Sequence, residues 1–117
     1  MAQQKNESSK QVDKSRWVEF CDMLTDGNGG RLVDIKVMSP ALGDKFLIQE
    51  TALFAIVCDP SGKGNDIVIE TGQQQVNYAH TVNAPSEVWE VQDENGKLAA
   101  FQIKDDSGAE TVVRFLN

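Results

Sequence analysis

The stretch WVEFCDMLTDGNGGRLVDIKVM, residues 17–38, decides the fold because its hydrophobic period changes half-way along. The first half has the spacing of one face of an α-helix. Its apolar residues are Trp17, Phe20, Cys21 and Leu24. The glycines that follow end the helix, since glycine tolerates the left-handed backbone found there. After Gly30 apolar and polar residues alternate, as they do in a strand with one buried face. The stretch therefore predicts one helix leading into a β-rich chain.

The rest of the chain has the pattern of about seven short strands joined mostly by hairpin turns. Asn95-Gly96 is the clearest turn, because this dipeptide suits the backbone of a two-residue hairpin. The apolar run LFAIVC, residues 53–58, indicates a central strand covered on both faces. We predict a mainly β fold with one N-terminal helix (α+β). A bent antiparallel meander sheet forms a small, partly open barrel that the helix caps.

Two regions differ in composition. Residues 1–12 are almost wholly polar and without periodicity, which predicts a disordered polar tail. Residues 13–117 carry the helix and strand patterns and are long enough for one core, so we predict a single helix-plus-β-sheet domain there.

Charge and hydropathy exclude several functions. The net charge is −7, and the basic residues form no stripe, which disfavours binding to nucleic acid or to an anionic membrane surface. The longest apolar run, residues 52–58, is too short to span a membrane, and the N-terminus lacks the apolar core of a secretory signal. We therefore expect a cytoplasmic protein in which Cys21 and Cys58 are reduced, buried and inert.

His80 is the chain's one histidine, and it alternates with Val76, Tyr78 and Val82 on the packing face of a strand. A histidine in such a setting usually has a structural role, with its ring nitrogens hydrogen-bonded. A general base needs a nucleophile or a substrate pocket nearby, and the sequence has no motif that supplies one. We predict no catalytic residues.

Asp59–Glu70 superficially matches a calcium loop, with Asp, Gly and Glu at the expected positions. Lys63, however, stands where a ligand oxygen is needed, so a glycine-rich turn is the better interpretation. Acidic residues elsewhere, such as Asp93, lie in segments typical of hairpin turns. Two isolated cysteines lack zinc-site spacing. We predict no metal ligands and no cofactor.

The order of motifs resembles an uncharacterised family of small bacterial proteins, a domain of unknown function. SRWVEFCDML is similar to that family's R/E-W-x-x-F-F-D helix, and YAHTVNAPSEVWEV to its H-x-I-x-x-P-x-x-I-x-V strands. The resemblance covers roughly residues 15–116, and the matching positions include Asp59, Pro60, His80 and Pro85. Ala55 stands where the family often has glycine. The resemblance implies a bacterial cytosolic β-rich domain and brings no activity with it.

Three functions remain open. The first is a small acidic, non-enzymatic protein-interaction or regulatory module that binds a protein partner or itself. Its surface would be a sheet edge or a patch formed by Tyr78 and Trp89, with His80 as a further candidate binding residue. The second is a small-ligand or divalent-metal-binding domain. The third is a small enzyme that uses His80 with Glu87 or Asp93.

Overall fold

The computed structural model describes residues 7–59 and 66–116 of the chain. In those residues one helix follows a first strand and precedes seven more. The elements are β1 (Ser8–Val12), a 3₁₀ turn (Lys14–Arg16), α1 (Trp17–Asn28), β2 (Leu32–Ser39), β3 (Gly43–Cys58), β4 (Ile67–Thr71), β5 (Tyr78–Val82), β6 (Pro85–Gln92), β7 (Leu98–Asp105) and β8 (Glu110–Phe115).

All eight described strands belong to one antiparallel sheet, in the order β1-β6-β7-β8-β2-β3-β4-β5. Two meander runs, β2 to β5 and β6 to β8, lie side by side because β8 pairs with β2. β1 then adds to β6. The two ends of the order, β1 and β5, are not paired with each other, so the sheet is barrel-like but open. The predicted fold class is confirmed.

The helix packs against one face of the sheet, which we call the inner face. Trp17, Phe20 and Leu24 of α1 join a single core with residues from the strands. The strand residues of that core are Val33, Ile35, Leu53, Ile56, Ile67, Ile69, Val82, Val88, Phe101, Ile103, Val113 and Phe115. Alternation along each strand sends these side chains inward, and the opposite side chains form the outer face.

β3 is longer than its partner β2, and the segment between α1 and β2 continues the pairing with β3 beyond Leu32. The Leu53 carbonyl accepts a hydrogen bond from Gly30 N–H at 2.9 Å, and Leu53 N–H donates to the Arg31 carbonyl at 2.8 Å. The helix covers only the inner face here. Phe54 is 37% and Val57 46% exposed, so the expectation that residues 53–58 are covered on both faces is wrong.

The first strand differs from the predicted disordered tail over residues 1–12. Ser8–Val12 pairs with Val88–Gln92 of β6 in unbroken register. The Val12 carbonyl also accepts a hydrogen bond from Trp17 Nε1 at 3.1 Å. Backbone pairing supplies this order, because the side chains of β1 are almost all exposed and leave no hydrophobic pattern. Residues 1–6 lie outside the described part of the chain.

The two cysteines are not reduced, contrary to expectation. Cys21 on α1 and Cys58 at the end of β3 form a disulfide, with their Cα atoms 6.1 Å apart. The sequence prediction rested on the expected cytoplasmic compartment, which carries no information on whether the fold brings the helix and β3 together.

No helix within residues 7–59 and 66–116 is long and apolar enough to cross a membrane.

Candidate binding surface at the edge of the sheet

β5 forms one edge of the sheet and carries two of the three predicted binding residues. It pairs with β4 from Tyr78↔Thr71 to Val82↔Ile67, with no register shift. Along its other side, no strand of the described chain is paired with it. Tyr78, His80 and Val82 share the inner face, while Ala79 and Thr81 are exposed on the outer face. The strand is therefore regular, short and open along one side.

His80 points into the open barrel, as its alternation pattern predicted. Its Nε2 atom lies 3.3 Å from Thr111 Oγ1 on β8, so the contact crosses the inside of the barrel. Desolvation by burial lowers the pKa of His80 below the ordinary 6.5. The ring is therefore neutral at neutral pH, and a neutral imidazole can either donate to or accept from the threonine hydroxyl.

Tyr78 begins β5 and is partly exposed. Its carbonyl oxygen is 3.4 Å from Thr71 Oγ1, the hydroxyl of a fully buried threonine on β4. The preceding residue closes the hairpin, since Asn77 N–H donates to the Thr71 carbonyl at 2.8 Å. These contacts fix where β5 starts relative to β4.

Trp89 lies away from β5 in the sheet. It is on β6, where it pairs with Gln11 of β1 on one side and Gln102 of β7 on the other. Its Nε1 donates to Glu87 Oε1 at 2.9 Å, so both side chains lie on the same face of β6. Neither strand pairing nor a hydrogen bond between described residues joins Trp89 to Tyr78. The structure thus brings Tyr78 and His80 together and leaves Trp89 on a different strand.

The carboxylates that sequence analysis considered for chemistry have local partners. Asp93 Oδ1 accepts hydrogen bonds from the backbone N–H groups of Asn95 and Lys97, at 2.9 and 3.0 Å. Asp105 Oδ1 accepts from Ser107 and Ala109 N–H in the same manner. These are the self-capped turns that Asp forms readily. Neither Glu87 nor Asp93 is bonded to His80, so the structure does not assemble the acid–histidine pair that the enzyme hypothesis needs.

The stretch that resembled a calcium loop is described only at its ends, because residues 60–65 lie outside the described part. Asp59 and Asp66 face each other across the base of this turn. Asp59 N–H donates to the Asp66 carbonyl at 2.9 Å, and Asp66 N–H lies 3.3 Å from Asp59 Oδ2. Among the described residues, no three His, Cys, Asp or Glu side chains are placed to hold one metal ion.

Comparison with known proteins identifies a family. The model of a family of unknown function, DUF5335, matches residues 8–117. The chain belongs to the DUF5335 family. It is also 24% identical, over 107 residues, to a protein of Aquifex aeolicus (strain VF5) named "Uncharacterized protein", covering 92% of this chain and 91% of that one. No solved structure matches the chain.

Sequence reasoning about this DUF5335 chain missed the outer side of β5. Ala79 and Thr81 have small side chains and carry no chemistry, so no motif marks them. The feature of the sequence that could have drawn attention to them is its composition: YAHTV contains no Lys, Glu, Asp or Pro. Native edge strands often carry such residues to prevent unwanted pairing. This signal becomes visible only once β5 is known to be an edge.

A groove of about 290 Å³ lies between β1, α1 and β6 of the DUF5335 fold. Its charged lining mixes both signs, since Lys10 and Arg16 face Asp13, Glu19 and Glu90. Arg16 is already paired with Glu19 at 3.4 Å. The volume is at the lower end for small-molecule pockets, and the lining is more charged than is usual for them.

Proposed function

We propose that this DUF5335 chain is a small, acidic, non-enzymatic interaction module that binds an extended segment of a protein partner at β5. The segment adds to the sheet as a further strand, with main-chain hydrogen bonds giving affinity and side-chain contacts giving selectivity. A regulatory role would follow from such binding. Cytoplasmic location is part of the proposal.

The observation that carries the proposal is the edge of β5, along which no strand of the described chain is paired. Edge strands are usually protected by charged residues, proline, bulges or a covering element. β5 has a regular register with β4 and no charged or proline residue, and burial keeps His80 neutral at neutral pH. The opposite edge is different: β1 is exposed along Ser8–Gln11 and has Lys10 at its centre. The chain therefore offers one protected edge and one open edge.

The local environment of the candidate chemical groups supports an interaction module over the two alternatives. His80 is engaged with Thr111, Glu87 with Trp89, and Asp93 with its own turn. A ligand or metal would have to displace these contacts. A segment that pairs along the free side of β5 needs no such displacement, because no strand of the described residues is paired there.

Panning a random-peptide phage library on the immobilised protein tests the proposal. Enriched peptides should lose binding to Thr81→Lys, because a lysine on the outer face of β5 places a charge beside the side chains of the added strand. They should still bind Ser9→Lys, which makes the same kind of change on the exposed edge strand β1. Failure to enrich any peptide, or enriched peptides that bind Thr81→Lys as well as the unchanged protein, would refute the proposal.

A further inference from the structure

The sequence on both sides of β5 is acidic and contains no basic residue. Between Lys63 and Lys97 the sequence contains no lysine or arginine, and β5 lies in the middle of this stretch. The carboxylates in it are Asp66, Glu70, Glu87, Glu90, Asp93 and Glu94. Asp66 and Glu70 are next to and on β4, the strand that pairs with β5, whereas the other four are on β6 and the turn after it, towards the other end of the strand order.

Glu70 is the carboxylate on β4, the strand that pairs with β5. It is on the outer face of β4, between Ala55 of β3 and Ala79 of β5 in the strand pairing. Both neighbours have the smallest side chain that still has a Cβ, so neither covers the carboxylate. A residue added beside Ala79 would be two strand spacings, or about 10 Å, from the Glu70 backbone. A lysine or arginine side chain there reaches across Ala79 to the carboxylate.

Carboxylates of described residues also lie near the far end of β5. Val82 pairs with Ile67, which follows Asp66, and Asp66 faces Asp59. Asp106 N–H donates to the carbonyl of Ala84, two residues beyond β5, at 3.1 Å. The described residues give Asp59, Asp66, Glu70 and Asp106 no ion-pair partner.

We infer that the segment bound at β5 is basic, with lysine or arginine at alternate positions on its outer side. This inference rests on the proposed function and adds the chemistry of the partner to it. Long-range attraction raises the rate of encounter, and alternate cations contact Glu70, Asp66 and Asp106 after docking. A second copy of the chain is a poor occupant, because it brings the same carboxylates and a net charge of −7 to the same edge.

Three synthetic nine-residue peptides test the inference. All carry valine and threonine at the positions facing inward, and the outward positions are all lysine, all glutamine or all glutamate. Fluorescence anisotropy is measured at about 50 mM and about 300 mM salt, because added salt screens charge attraction. We expect the lysine peptide to bind at least about tenfold more tightly than the glutamate peptide at low salt, with a smaller ratio at high salt.

Matched variants test whether Glu70 produces the preference for the lysine peptide. Glu70→Gln should weaken binding of the lysine peptide about two- to fivefold, the range for one partly exposed ion pair. The glutamine peptide should bind Glu70→Gln and the unchanged protein alike. Asp22→Asn removes an exposed carboxylate from α1, far along the chain from β5, and should leave both peptides unaffected.

The outcomes separate the two proposals. If all three peptides bind with equal affinity and Thr81→Lys abolishes their binding, β5 is a docking edge and the inference about charge is wrong. If none binds, or if Thr81→Lys has no effect on any, the proposed function fails and the inference fails with it. If the chain dimerises through β5 in analytical ultracentrifugation at low salt, self-association replaces the basic partner.

Discussion

The hydroxyl of Thr25 forms two hydrogen bonds with the backbone of Ile56. Thr25 Oγ1 donates to the Ile56 carbonyl at 3.1 Å and accepts from the Ile56 N–H at 2.9 Å. Ile56 lies on the part of β3 that extends beyond β2, where no strand supplies these partners. One side chain of α1 thus takes the place of a neighbouring strand and attaches the helix to the sheet.

Thr25→Val should lower the free energy of unfolding by about 1–3 kcal/mol. Valine keeps the shape of threonine but leaves the partly buried Ile56 N–H and C=O groups without partners, and the loss follows from their desolvation. Urea unfolding followed by circular dichroism measures the change. Thr51→Val is the control, because its hydroxyl bonds only the nearby Gln49 carbonyl in an exposed position. Equal effects of the two substitutions would contradict the role assigned to Thr25.

The disulfide provides a second link between the helix and β3. Cys21 and Cys58 are 37 residues apart, and closing a loop of that length stabilises the fold by up to about 4 kcal/mol through the entropy of the unfolded chain. A reductant should therefore lower the melting temperature of the unchanged protein. It should have no effect on Cys21→Ala/Cys58→Ala, which starts from the lower value. Identical melting of the unchanged protein with and without reductant would contradict this prediction.

The same bond makes the proposed location testable. Disulfides persist mainly in oxidising compartments. If the chain is cytoplasmic, rapid alkylation of intact cells should trap both cysteines as thiols, and the bond should form after lysis. Cysteines that escape alkylation in intact cells, because they are already joined in the disulfide, would instead place the protein in an oxidising environment.

The parts of the fold that local patterns determine were predictable. Helical spacing located α1, and the Asn95-Gly96 turn joins β6 to β7 with Gly96 at a φ of 79°. The features that were not predicted depend on which other segments a given segment contacts in the folded chain. β1 is stabilised by the backbone of β6, and the cysteines meet only because α1 docks on β3.

The candidate site, too, could be predicted only in part. Alternation placed His80 on the inner face, which the structure confirms. The open edge depends on β8 pairing with β2, because that pairing leaves β5 at the end of the sheet. Strand order of this kind is set by the whole core and not by any short stretch.

Two glycines should respond to alanine with opposite signs. Gly72, with a φ of 144°, closes the turn before β5, and a Cβ there would meet the Gln75 carbonyl and lie 2.9 Å from Asn77 N. Gly72→Ala should destabilise the fold by more than about 1 kcal/mol, because both the backbone angle and the space are unsuitable. Gly27 is in the last turn of α1 with nothing within 4 Å of its Cβ position. Gly27→Ala should stabilise by about 0.5–1 kcal/mol. Thermal unfolding of both variants measures the contrast, and a shift of the same sign in both would contradict it.

Protonation of His80 should destabilise the fold as the pH falls. Burial lowers the pKa of His80 in the folded protein below 6.5, whereas its pKa in the unfolded chain is about 6.5. Between these values the unfolded state binds more protons, so stability declines as the pH falls through this interval and levels off below the folded-state pKa. Urea unfolding at a series of pH values from about 7.5 to about 5.5 measures the decline.

His80→Gln is the matched test of this pH dependence. Glutamine retains a group that can hydrogen-bond to Thr111 but does not titrate. Its stability should therefore vary less than that of the unchanged protein over the same pH range. Carboxylates contribute equally to both proteins, so the difference between the two curves isolates the imidazole. Parallel curves would show that His80 is solvated well enough to take up a proton in place, which would contradict the burial on which the prediction rests.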